Sequence, residues 1–342
     1  AGEPGVWEVR TTARPNVLVA DDRALGVATG RRLRDGEWAW QDERLRYRPA
    51  GGTPPGQRVW RAARGGGIVI EGQSHVVVED VDCRVGGGAC VSIRGGGNNV
   101  VRRLTARWYW RGVDLAGGTA GNVVEDCLVE GNQEGIYLRG GAAGNTVRRC
   151  RAIGNGNAPA WVRADRAGIA IGETGVNRGN VVEDCEVAGN GGRDSDAGLI
   201  AYRAPGTVFR RNHVHDNYGS GIFVTIGSDD SLVEGNRVER NGMAAVRAGR
   251  TNITGLSVRR SRGVTVRGNR VLDNHVSADS PWAGKDLGPR GGLEVRGLPS
   301  DDMTGISLID NEVAGTVGGP DVYVVPGIRA PDLRIVPARP AP

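Results

Sequence analysis

The stretch GIYLRGGAAGNTVRRCRAIGN, running from Gly135 to Asn155, decides the fold. It opens on an apolar-alternating strand, turns through glycines, and runs a short second strand up to Cys150. A third strand then stops at Asn155. Laid on the rest of the chain, its second half recurs as VVEDVDCRVGGG (ending near Gly88), VVEDCLVEGNQEG (ending at Gly135) and VVEDCEVAGN (ending at Asn190). With Asn in place of Cys it continues as FRRNHVHDN, VEGNRVERN, VRGNRVLDN and LIDNEVAG, the last ending at Gly315. One column therefore reads Cys83, Leu104, Cys127, Cys150, Cys185, Asn212, Asn236, Asn269, Asn311. A second column, five residues on, reads Asn132, Asn155, Asn190, Asn217, Asn241, Asn274. No unit carries a long 3.6-residue period, which argues against helical and leucine-rich repeats. Short strands separated by Gly and Asn, the residues that tolerate a left-handed backbone, fit a parallel β-coil.

Composition agrees. The chain holds 57 Gly among 342 residues without a collagen period, and 39% hydrophobic residues are enough for a core. A solenoid buries its core coil against coil, so this length need not mean two globular domains. The formal charge is +5, almost all of it Arg, with Lys285 the only lysine. No basic run or binding motif points to nucleic acid, and no apolar stretch is long enough for a membrane span. A secreted or cell-surface monomer is expected, and a start at Ala1 suits a processed chain.

Quoted phrases such as GIYLRGGAAGNTVRRCRAIGN resemble the generic coil of the pectate-lyase-like superfamily of right-handed parallel β-helices, over about three quarters of the chain. The resemblance implies an all-β, right-handed parallel β-helix solenoid of about nine coils over 66–327. It places the Cys/Asn column in the turn between the second and third sheets, and makes the GI-x-L strands the first sheet. Residues 1–65, with GEWAWQDERLRYRP, read as an N-terminal β hairpin or cap region, and 328–342 as a Pro-rich tail. Cysteines stacked in one column are poorly placed for disulfides, so Cys83, Cys127, Cys150 and Cys185 are expected as free buried thiols, and Cys90 as structural.

Insertions mark the functional face. The segments 156–168, 191–198 and 275–292, and RWYWRG at 107–112, all fall at the turn leading into the first sheet. The resemblance implies a polysaccharide cleft on that side. Period-2 alternation gives an outward row of Ser92, Arg94, Asp114, Tyr137, Arg139, Ala170, Tyr202, Phe223, Thr225, Arg247, Glu294 and Arg296. Trp108, Trp110, Trp161 and Trp282 on the wall are candidates to stack on sugar rings.

Two chemistries compete. A lyase or C5-epimerase acting on a uronate needs a base and a cation that neutralises the carboxylate. Lys285 with His275, or Tyr202 with Arg203 and Arg247, could supply them. A glycoside hydrolase needs paired carboxylates, for which Glu173, Asp194 and Asp196 are the candidates, with Asp165 nearby. The same four could hold Ca²⁺, the one cofactor to consider. His215 lies near the groove edge, whereas the DPH motif of alginate epimerases is absent. The expected function is carbohydrate-active, on an extended acidic polysaccharide, by lyase or epimerase chemistry. The alternatives are hydrolysis and a non-catalytic polysaccharide-binding or surface structural protein.

Overall fold

The computed structural model describes residues 6–11, 18–20, 23–28, 32–49, 59–61, 65–156, 167–191, 197–243, 253–277, 290–298, 300–326 and 334–337. From Ile68 onward the chain is a right-handed parallel β-helix, in which each strand pairs in parallel with the equivalent strand one coil away. The coil read from Gly135–Asn155 is typical. Glu134–Leu138 lies in the first sheet, Thr146–Arg148 in the second and Arg151–Ile153 in the third, and Ala167–Ile171 then returns beside Glu134–Leu138. The Cys/Asn column falls between the second and third sheets, as expected.

Period-2 alternation sends one set of side chains inward. Val113, Leu115, Ile136, Leu138, Ile169 and Ile171 stack from the first sheet, facing Val124, Val147 and Val182 from the second. All are fully buried within a single continuous core.

Three polar ladders hold the corners. Asn132, Asn155, Asn190, Asn217 and Asn241 each pass a side-chain amide proton to the next Asn Oδ1, at 2.7–3.0 Å, and the ladder ends at Asn274. Asn212, Asn236 and Asn269 do the same one turn earlier, ending at Asn311. Buried amides need such partners, because an unmet one costs about 1–3 kcal/mol. Cys127, Cys150 and Cys185 act as thiol versions of the same post, with Sγ donating to the carbonyls of Glu125, Arg148 and Glu183 at 3.1–3.3 Å. The third ladder, Asn99, Asn122, Asn145 and Asn180, sits between the first and second sheets, where the sequence reading set no column.

The second sheet also carries charges that alternate from coil to coil. Glu79–Asp80 faces Arg102–Arg103, Glu125–Asp126 faces Arg148–Arg149, and Glu183–Asp184 faces Arg210–Arg211. In-register parallel strands stack like positions on like, so repeated charge would repel. Alternation turns each stacked pair into an ion pair.

Two expectations fail. Cys83 and Cys90 form a disulfide, Cα–Cα 6.0 Å, rather than remaining free. The column argument considered only neighbours along the stack, whereas these two share the long strand Asp82–Arg94, which bends from the third sheet into the first. The segment holding Arg247 was read as a first-sheet strand, but Leu256–Arg259 occupies that place. Arg247 itself lies outside the described residues. Before the helix, strands Trp7–Arg10, Glu37–Gln41 and Arg44–Arg48 share a small sheet with Gly26–Val27. There Trp38 packs with Leu18, Leu25 and Leu45.

Candidate functional site

The outward first-sheet row is real. Ser92, Asp114, Tyr137, Ala170, Ile200, Phe223, Ser257 and Glu294 occupy one register column. A second column runs Arg139, Tyr202, Thr225, Arg259, Arg296 along the edge where strands leave the sheet. The floor is not the open surface expected, because Asp114, Tyr137, Ala170, Phe223 and Glu294 are all buried. Solvent reaches the exit edge instead, at Arg139, Glu173, Tyr202 and Arg203.

Reaching towards that edge from the entry end of its first-sheet strand, one arginine gathers three carboxylates. Arg111 donates from Nε to Glu134 at 2.5 Å, and its two Nη atoms stand 3.8 Å from Asp114 and from Glu173. Its guanidinium lies 4.7 Å from the Tyr137 ring centre. Arg139 grips Asp114 with two parallel bonds of 2.9 Å, the geometry that suits a planar guanidinium and a carboxylate. The Asp114 carboxylate in turn raises Arg139's affinity for its proton. Glu134 differs. Burial pushes its carboxyl upward, and the pull of Arg111 only partly offsets it. Glu173, half exposed, sits in the left-handed region just past its strand. Tyr202 packs over Gly172, where an added Cβ would come within 2.9 Å of the Tyr202 Cβ, and the Arg203 guanidinium lies 5.3 Å from the Tyr202 ring centre. Glu173, Tyr202 and Arg203, chosen from sequence, therefore meet on adjacent coils. Arg111 and Glu134 were missed because in sequence they fall ahead of the apolar-alternating GVDLAG and GIYLRG phrases and read as turn residues, although both lie within strands, Thr105–Ala116 and Glu134–Leu138. Their shared register was the available signal.

The other candidates scatter. Lys285, Asp194, Asp196, Asp165, Trp161 and Trp282 lie outside the described residues. His275 is fixed by backbone contacts, its N–H donating to the Asn241 carbonyl at 2.8 Å at the mouth of the last insert. Glu294 and Arg296 are sealed in a second cluster, where Glu294 accepts from Ser257 at 2.8 Å, Arg290 at 3.2 Å and Arg296 at 3.4 Å. Arg259 lies in register with Arg296, and burial lowers it to about 10. RWYWRG is no loop. It belongs to the continuous strand Thr105–Ala116, with Trp110 half-buried where that strand crosses between sheets. Trp108 lines a cavity beside the third sheet rather than the groove wall. His215 is on the third sheet, bonded through Nδ1 to Asp216 at 2.6 Å and stacked on His213 at 4.0 Å.

The sequence matches the family described as periplasmic copper-binding protein (NosD) over residues 51–251. The chain belongs to the NosD family. No curated protein matches it. Among solved structures, this NosD-family chain is similar to DFA-IIIase from Arthrobacter chlorophenolicus A6 without its lid, at 15% identity and TM-score 0.52, over 74% of this chain and 61% of that one. It is also similar to an alginate lyase from Paenibacillus sp. str. FPU-7 (13%, TM-score 0.48, 80% of this chain and 89% of that one). A third is the mannuronan C-5 epimerase A-module of Azotobacter vinelandii (14%, TM-score 0.40, 97% and 88%). At these identities the likeness is one of fold.

The family description raises copper, whose favoured donors are thiolates, thioethers and imidazoles. Every Cys, His and Met of the chain lies among the described residues. Cys83 and Cys90 are joined, and the three remaining thiols are buried in the corner ladder. His213 Nε2 faces Glu239 at 2.9 Å on the following coil, whereas His215 Nε2 faces Glu186 at 3.6 Å on the preceding coil. The ring nitrogens thus reach in opposite directions. Among the described residues no three His, Cys, Asp or Glu side chains gather as metal ligands. The donor set does not fit a copper centre, and no step below uses one.

Proposed function

We propose that this protein acts on an extended acidic polysaccharide held along the exit edge of the first sheet, by lyase or C5-epimerase chemistry. One observation carries the reading: a phenol and arginine side chains share the accessible lip, with Tyr202 beside Arg203 and the Asp114-bound Arg139 two coils before. Removal of the proton next to a uronate carboxylate needs a base and a cation that neutralises the carboxylate. Tyr202 takes the first role and Arg203 the second, with Arg139 as a further contact to the polymer. Lys285 and His275, at the last insert, remain candidates for the same chemistry.

A second reading, hydrolysis, is favoured by the carboxylates gathered around Arg111. A carboxyl whose proton affinity is raised by its surroundings is suited to act as the acid of such a set. Burial raises Glu134, and Asp114 lies in the same cluster, held by Arg139. Glu173 completes that set.

The test is a screen of acidic and neutral polysaccharides, with and without Ca²⁺, following unsaturated uronate absorbance and reducing ends together. Both signals rising, and both lost on Tyr202→Phe, support elimination. Reducing ends alone, lost on Glu134→Gln and Glu173→Gln, support hydrolysis. No change in any glycan would leave only binding. An extracytoplasmic location, periplasmic or beyond, is supported by the family description and by the Cys83–Cys90 disulfide, a bond that persists in oxidising compartments.

A further inference from the structure

Every coil turns out of the third sheet through one left-handed residue. The column reads Val85, Trp108, Gly131, Gly154, Gly189, Asp216, Arg240, Asp273 and Gly315, with φ between 50° and 71°. Gly and Asp are the residues this backbone favours, whereas a bulky side chain there is an outlier. Trp108, at φ 59°, is with Val85 and Arg240 one of three bulkier residues at a position that four coils fill with glycine, and it is the largest of them. Strain of this kind persists where the surroundings over-determine it, and it concentrates at functional sites.

The surroundings show what the indole does. Its Cδ1 and Nε1 lie 3.2 Å from where a Cβ on Gly131 would stand, so the ring edge rests on the next coil's glycine. Beside it opens a cavity of about 480 Å³, continued by Gly154 and Ile153. This is within the range of small-ligand sites, about 300–1,000 Å³. Arg84, Arg107 and Glu130 complete its wall. Arg107 donates to Glu130 at 2.8 Å, and Arg84, about half exposed, reaches Asp82 at 3.0 Å. An aromatic body with guanidinium and carboxylate groups around it matches a sugar ring, apolar on its face and polar at its rim.

We propose that this cavity is a second carbohydrate site, distinct from the first-sheet lip, that binds one acidic sugar unit against Trp108 with Arg84 and Arg107 at its carboxylate. The proposal rests on the acidic-glycan reading above. It adds an anchor on another sheet, which would hold a polymer or a product without reacting with it.

The test uses the full chain and its Trp108→Gly and Arg84→Ala variants, titrated calorimetrically with short uronate oligosaccharides and with neutral oligosaccharides of equal length. Restoring the repeat's glycine is expected to leave the melting temperature unchanged or higher while removing one class of uronate site. Arg84→Ala, an exposed change, should weaken that class about tenfold. Turnover at saturating polymer should survive both changes. A melting temperature that falls in Trp108→Gly with uronate binding intact would make the indole mere packing and overturn the proposal. So would undiminished binding in Arg84→Ala. Site loss in the variants, from a parent that turns over no polymer, would uphold this cavity and defeat the lip. Turnover with unaltered binding in both variants would do the reverse.

Discussion

The first sheet carries two charged clusters in the same outward columns, and they are built for different ends. Around Arg111, three carboxylates and two arginines reach out to solvent through Glu173 and Arg139, whose side chains are 48% and 25% exposed. Around Glu294, Arg290 and Arg296 are 4% exposed or less, and Glu294 is fully buried. Chemistry on a polymer needs the first kind of place. The second is a closed polar knot, in which one carboxylate answers several buried guanidiniums. Residue type alone does not separate the two, since Asp114, Arg139, Glu294 and Arg296 look alike in the sequence. Solvent access does.

The comparison can be broken at either end. The largest effect is expected at the lip. Tyr202→Phe should lower turnover by about 10²–10⁴-fold, the usual weight of a general base, with the melting temperature unchanged. Equal turnover in parent and variant would remove Tyr202 from the chemistry. Next comes Glu294→Ala, which strands buried arginines. It should cost about 3–5 kcal/mol in urea unfolding, while the folded fraction keeps its turnover. A mild loss of stability together with lost activity would make the sealed knot the functional one.

A smaller, pH-dependent effect belongs to Glu134. Burial raises its folded-state proton affinity above that of the unfolded chain, so its stabilising contribution is present below the ordinary carboxylate range and is lost as pH rises through the folded value. Relative to Glu134→Gln, the parent should therefore lose stability from acid towards neutral pH. A parallel pair of stability curves would contradict the assignment. The smallest effect is expected for Arg103→Glu, which places like charges beside Glu79 and Asp80 on an exposed face. The melting temperature should drop slightly, and added salt should erase the difference.

Much of the solenoid was legible because stacking forces residues to repeat in columns: Cys127, Asn155 and Asn236 announce their columns by spacing, and the family resemblance implied the corner at which the Cys/Asn column sits. The Asn99–Asn180 ladder hid inside Gly-Asn phrases that also read as ordinary turns. Alternation of ED and RR was equally visible, but its meaning needs the in-register pairing that places Arg103 against Asp80. The site was legible in part. Glu173, Tyr202 and Arg203 follow from period-2 alternation plus their place just past a strand. Arg111 and Glu134 do not, because their importance comes from burial and from a strand that continues through RWYWRG without a break. Trp108 was singled out for its type and placed on the wrong face, since a left-handed residue ending a third-sheet strand looks, in sequence, like the start of a loop.

The most direct test of the central claim is hydrogen–deuterium exchange of the protein with and without a uronate oligosaccharide. Slowed exchange at the lip, in the backbone around Arg139–Gly140, Gly172–Asn177 and Arg203–Ala204, is the predicted result. Protection confined to the Trp108 cavity, or none anywhere, would contradict the assignment of the first-sheet edge as the place where the polymer is held.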